Sequence, residues 1–118
     1  MSGTARPFQE GRMAWIYLVT AGVLEVVWAF AMKQSDGFTR FWPTGIMVVS
    51  MAGSVGFLAL AMRTLPLGTA YTIWTGIGAV GAFLVGIAVL GEQASASRIL
   101  AAGLIGSGLV LMKLSSPG

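Results

Sequence analysis

At 118 residues the chain has the length of one domain, and 56% of it is apolar while only 9% is charged. An average soluble domain carries about 25% charged residues, so this one lacks the polar surface to cover itself in water, and a bilayer is the fitting solvent. The formal charge of +3 does not imply nucleic acid: Arg12, Lys33, Arg40, Arg63, Arg98 and Lys113 stand singly near the ends of apolar runs, where basic residues anchor to lipid headgroups.

Residues 1–12 are polar, with glycine, proline and two arginines, and read as a disordered leader; Met13 is itself a candidate start. The first apolar run then extends from Met13 to Met32. A secretory signal peptide is the rival reading, with Ala29-Phe30-Ala31 as a cleavage-like site. The run is longer than an h-region of about 7–15 residues and contains a charge, which argues against it. The second run spans Trp42 to Met62, and the third about Leu67 to Leu90, after Pro66. The fourth, from about Arg98 to Leu114, is marginal against a span of about 20 residues, and its flanking basic side chains can snorkel to make up the difference. Irregular backbone is not tolerated against lipid, so each run is expected to be an α-helix. The expected fold is therefore an all-α membrane protein of four transmembrane helices, residues 13–118 forming one domain. Short links such as Gln34-Ser35-Asp36-Gly37 leave no room for an enzyme site outside the bilayer.

With four spans, Arg6, Arg12, Arg63 and Lys113 fall on one side and Lys33, Arg40 and Arg98 on the other. A bias of four against three, or two against three from a start at Met13, is close to none, and the positive-inside rule then favours insertion both ways up; the plainer reading is that a small bias still suffices or that the count misplaces a loop.

Glu25 lies in the middle of the first run. An acid at the centre of a span costs about 2.5–3.5 kcal/mol on insertion scales, and a buried intramembrane acid is a functional site by default. There is no histidine or cysteine, so thiolate metal sites are excluded and proton exchange near neutral pH falls to a carboxylate. No metal or cofactor is expected. Helical spacing puts Gly22, Glu25, Trp28 and Ala29 on one face of the first helix. Gly22 leaves space, and Trp28 offers an indole N–H to a carboxylate or a ring face to a cation. Tyr71, Trp74, Thr75 and Gly78 form a comparable face on the third helix, and Ser54 brings a hydroxyl to mid-depth on the second. These are the polar groups available to hold a buried carboxylate; the plainer reading gives each a backbone carbonyl as partner.

Gly76-Ile77-Gly78-Ala79-Val80-Gly81 spells G-x-G-x-x-G, but no strand precedes it and no acid follows at about 20 residues, so it is not a dinucleotide loop. Gly78, Ala82 and Gly86 recur every four positions, a face for close packing or bending. On the fourth helix, Ala102/Gly106 and Gly103/Ser107 form small-xxx-small pairs without an acid, which marks an assembly helix.

Four helices with one acid are too few to enclose an aqueous path. Transporters are commonly built from two inverted repeats with the site between them at mid-depth. Two copies of this chain inserted in opposite senses provide that arrangement, with two Glu25 carboxylates facing one cavity. Two such charges in low dielectric repel, so the pair can hold protons and yield them to an arriving cation.

The assembled residues resemble the small multidrug resistance family, four-helix exporters of cationic compounds, and most closely its guanidinium-exporting members. The resemblance covers Met13 to about Leu114. It rests on Ala21-Gly22-Val23-Leu24-Glu25-Val26-Val27-Trp28-Ala29, on Lys33-Gln34-Ser35-Asp36-Gly37-Phe38-Thr39, and on the stretch from Leu65-Pro66-Leu67-Gly68 through Ile77-Gly78-Ala79. It implies an antiparallel, dual-topology homodimer in the bacterial inner membrane that exchanges guanidinium for protons and performs no enzymatic reaction. Glu25 is implied as the shared proton and substrate site, with Gly22, Trp28, Ser54, Tyr71 and Trp74 lining the pocket. Gly103, Gly106 and Ser107 are implied in dimerisation, and Lys113 matches a basic residue near the end of the fourth helix. Members that export bulky quaternary ammonium drugs usually carry glycine where this chain has Trp28. The departures are the leader and the second helix, where Ser54 is the main match. Two other readings stay open: a polyspecific quaternary ammonium exporter, and a membrane assembly subunit that transports nothing.

Overall fold

The computed structural model describes residues 7–115, with side chains from Gly11 onward. Four α-helices follow one another: α1 (Pro7–Gln34), α2 (Phe41–Ala61), α3 (Leu67–Ala88) and α4 (Ala96–Leu114). Each is long and apolar enough to cross a membrane. The 19 residues of α4 rise about 28 Å, just short of a hydrocarbon core of about 30 Å.

Residues 1–6 lie outside the described part, but residues 7–12 belong to α1. Proline at the first helical position is well suited to open a helix, because its missing N–H has no intrahelical partner there anyway. The helix then continues without a break through residues 29–31.

The links are as tight as their composition demands. After α1 the backbone turns through three consecutive left-handed residues, Asp36, Gly37 and Phe38 (φ 50°, 71° and 68°). Fully buried Ser35 fixes this turn: its hydroxyl donates to the Met32 carbonyl (2.7 Å) and accepts from the Phe38 N–H (3.1 Å). Pro66 precedes α3 in extended conformation. Ser95 caps α4 by accepting the Arg98 N–H at 3.3 Å.

Helix α1 is the centre of the protomer. It packs against α2 and α3, which barely meet each other, while α4 lies outside against α3. The core is small: Ala14, Leu18 and Ala21 from α1, Leu58 and Ala61 from α2, and Ala70 and Ile73 from α3. Lipid gives helices little hydrophobic reason to associate, so close approach through small residues takes over. Gly22 of α1 makes room for Ile77 of α3, and Gly76 of α3 makes room for Leu109 of α4. No residue of α4 is buried. Two cations fasten its ends instead: the Arg98 guanidinium lies 5.8 Å from the Phe83 ring centre, and the Lys113 ammonium 4.7 Å from that of Trp15.

Candidate functional site: a carboxyl seated on a glycine

The acid of α1 faces α3. A methyl group at Gly78 would overlap the Glu25 carboxyl, so the absence of a side chain there is what admits it. Glu25 Oε1 is shielded from solvent and has no hydrogen-bond partner. One turn along, Trp28 Nε1 is likewise buried without an acceptor. A carboxylate oxygen and an indole N–H both left unmatched in a low-dielectric interior are expensive, each costing about 1–3 kcal/mol. Trp15 Nε1 is a third such group among the described residues, and each calls for an explanation.

Ser54 and Trp74 form a different structure beside it. The fully buried Ser54 hydroxyl donates to the Ala21 carbonyl of α1 at 2.6 Å and accepts from Trp74 Nε1 of α3 at 2.9 Å. One hydroxyl thus joins three helices. The sequence suggested these groups as holders of the Glu25 carboxylate. Within the protomer they satisfy one another and a backbone carbonyl, so their bonds fix the helix on which Glu25 sits. Tyr71 lies against Trp74 with ring centres 5.5 Å apart, and half of it (52%) remains exposed. Gly22, expected to leave space for a ligand or a neighbouring helix, takes in Ile77 of α3. The protomer therefore brings Glu25, Gly78, Ser54 and Trp74 into one α1–α2–α3 junction, with Tyr71 at its outer edge.

Gly78 as the seat of the acid was not foreseen. The available signal was a mid-helix glycine, which costs about 1 kcal/mol relative to alanine and so needs a reason. The other glycines of that string have reasons of the same kind, since Gly76 receives Leu109 and Gly81 receives Val26. The G-x-G-x-x-G pattern is a set of sockets for neighbouring side chains.

On α4, Gly103 and Ser107 are exposed, and a side chain added at Gly103 or Gly106 would meet nothing in the protomer. The face expected to dimerise is open.

The sequence matches the Small Multidrug Resistance protein family over residues 13–105. The chain belongs to the small multidrug resistance family. Similar proteins within it include the guanidinium exporter of Yersinia pestis, 58% identical over 104 residues that span 88% of this chain and all of the relative. Those of Citrobacter freundii and Salmonella choleraesuis are each 55% identical over 88% of this chain and 99% of the relative. Membership, with four helices apolar and long enough to cross, makes the chain a multi-pass transporter of the bacterial inner membrane.

Proposed function

We propose that this transporter exports guanidinium in exchange for protons, working as an antiparallel homodimer with Glu25 as the site of both ions. The observation that carries the reading is the Glu25 carboxyl: it sits in the middle of a span, over Gly78, with a buried oxygen that has no partner. The relatives' names supply the cation. Guanidinium is flat, with N–H donors in a fork that meets a carboxylate bidentately. Trp28 and Trp74 add aromatic walls, which favour a small planar cation over a bulky one.

A second copy is needed on physical grounds. In the lone protomer, Tyr71 is half exposed and α4 buries nothing. An inverted partner joined through Gly103, Gly106 and Ser107 would cover α4 and bring a second Glu25 to the same cavity. Because a proton and guanidinium compete for one carboxylate, each excludes the other, and the carrier crosses with one or the other bound.

The test is flux in proteoliposomes. With wild-type protein, guanidinium added outside is expected to enter as protons leave, whereas Glu25→Gln carries neither. Transport by Glu25→Gln at the wild-type rate would refute the assignment. Preference for tetrapropylammonium over guanidinium would move the protein to the polyspecific reading, and failure of the purified chain to bind any cation would make it an assembly subunit.

A further inference from the structure

A second carboxylate lies on the same stripe of α3 as the first. Gly78, Ala82 and Gly86 recur at four-residue intervals along that helix. The Glu25 carboxyl occupies the space over Gly78, and the Glu92 carboxyl occupies the space over Gly86, where a Cβ would come within 2.5 Å of Glu92 Oε1. Eight residues at about 1.5 Å each put the two seats roughly 12 Å apart along the axis. Glu92 is not there by mere proximity in sequence. The chain leaves α3, turns at Gly91 in the left-handed region (φ 69°), and returns, so that the Glu92 N–H donates to the Gly86 carbonyl at 2.9 Å.

The return places Glu92 at the mouth of a recess of about 210 Å³ between α1 and α3. Val26, Phe30 and Lys33 line it from α1, and Val85 and Gly86 from α3. Val26, next to Glu25 in sequence, is seated on Gly81 between the two carboxylate seats, so the recess opens at the end of the helices, beyond that contact from the buried acid. Its chemistry suits a flat cation, with a carboxylate to bond the N–H fork and the Phe30 ring to stack on. The position of the acid is otherwise unfavourable. It stands at the C-terminal end of α3, where the helix dipole is negative and a cation is preferred. Lys33 lines the same recess and offers the chain's own cation to it. Its charge rides on a flexible four-carbon stem and can swing into water when another cation arrives.

We propose that Glu92 and Phe30 form an outer receiving site for guanidinium, which captures the cation at the membrane surface and raises its concentration where it enters the Glu25 site, with Lys33 as the competing occupant. The inference rests on the reading of the protein as a guanidinium exporter. In an inverted dimer the two copies of this recess open on opposite faces, so each face has one. An outer site of this kind changes how fast the cation arrives and not how tightly Glu25 holds it.

Guanidinium flux into proteoliposomes, measured at low ionic strength for wild type, Glu92→Gln and Lys33→Gln, tests it, with equilibrium affinity read separately from tryptophan fluorescence. Glu92→Gln is expected to raise the KM by about threefold or more, while the maximal rate and the equilibrium Kd stay within about twofold. The gap should close at about 0.5 M salt, where surface charges are screened. Lys33→Gln is expected to lower the KM by about twofold. An unchanged KM in Glu92→Gln overturns the proposal, and so does an equal loss of Kd and maximal rate, which would mark a structural role. If Glu92→Gln does not assemble, Lys33→Gln decides alone, and a KM that fails to fall overturns it. Guanidinium flux in wild type with unchanged kinetics in both variants removes the outer site and leaves the exporter reading intact, whereas absence of wild-type flux removes both.

Discussion

Helices α1 and α4 are both apolar and both long enough to span a bilayer, yet they are used in opposite ways. Along α1, Ala14, Leu18, Ala21 and Ala31 are buried, and neighbours reach into or out of its face at Gly22, Glu25 and Val26. Along α4 nothing is buried, Leu104 and Leu111 are two-thirds exposed, and the glycines meet no neighbour. The same composition gives a core helix in one place and an uncovered one in the other. What separates them is where the small residues fall relative to a partner helix already present. On α1 and α3 they are matched within the protomer; on α4 they await a match from outside it.

Substitutions can sharpen or break this contrast. The largest effect is expected at Gly78, where Gly78→Val puts a branched side chain into the space of the Glu25 carboxyl. Transport in proteoliposomes should fall by about tenfold or more through displacement of the acid, whereas Gly108→Val on α4, with open space around it, should leave the protomer fold intact. A Gly78→Val protein with normal flux would mean that the seat is unimportant. Next is the paired truncation of Leu18 and Leu111, 0% and 67% exposed. Leu18→Ala is expected to cost about 2–5 kcal/mol of stability in detergent, and Leu111→Ala about 0.5 kcal/mol or less in the dissociated protomer. Equal losses would erase the distinction between the helices. Ser54→Ala comes third. It leaves the Trp74 N–H without a partner and removes the interhelical bond to the Ala21 carbonyl, for about 1–3 kcal/mol in thermal unfolding. The smallest stability effect is expected for Trp28→Phe, because its N–H has no acceptor to lose. Unfolding should move by about 0.5 kcal/mol or less, while guanidinium binding weakens if that N–H or the indole face serves the ligand.

Much of the architecture was legible in the sequence because the bilayer enforces it. Four runs of the right length, bounded by Arg and Lys, leave only helices as an answer, and the ends of α2, α3 and α4 fall within a few residues of those runs. The start of α1 was less legible. Its first turns are polar, a composition that reads as disorder, whereas Pro7 opens a helix that reaches the apolar run unbroken. Glu25 stood out because a charge in an apolar run is costly whatever surrounds it. Its surroundings did not stand out, because hydrogen-bond partners depend on tertiary placement. Ser54 and Trp74 are the right residue types to hold a carboxylate, but only coordinates tell that they pair with each other and with Ala21. The Lys113–Trp15 contact is equally hidden, since it joins residues nearly a hundred positions apart through α4, a helix that otherwise touches α3.

The account turns on one carboxylate accepting either a proton or guanidinium. The direct measurement counts protons released when guanidinium binds purified protein in weakly buffered solution. Proton release that accompanies binding, binding that weakens as the pH falls, and the loss of both in Glu25→Gln are the expected results. Guanidinium bound at the wild-type affinity with no proton released, or with release that persists in Glu25→Gln, would contradict it.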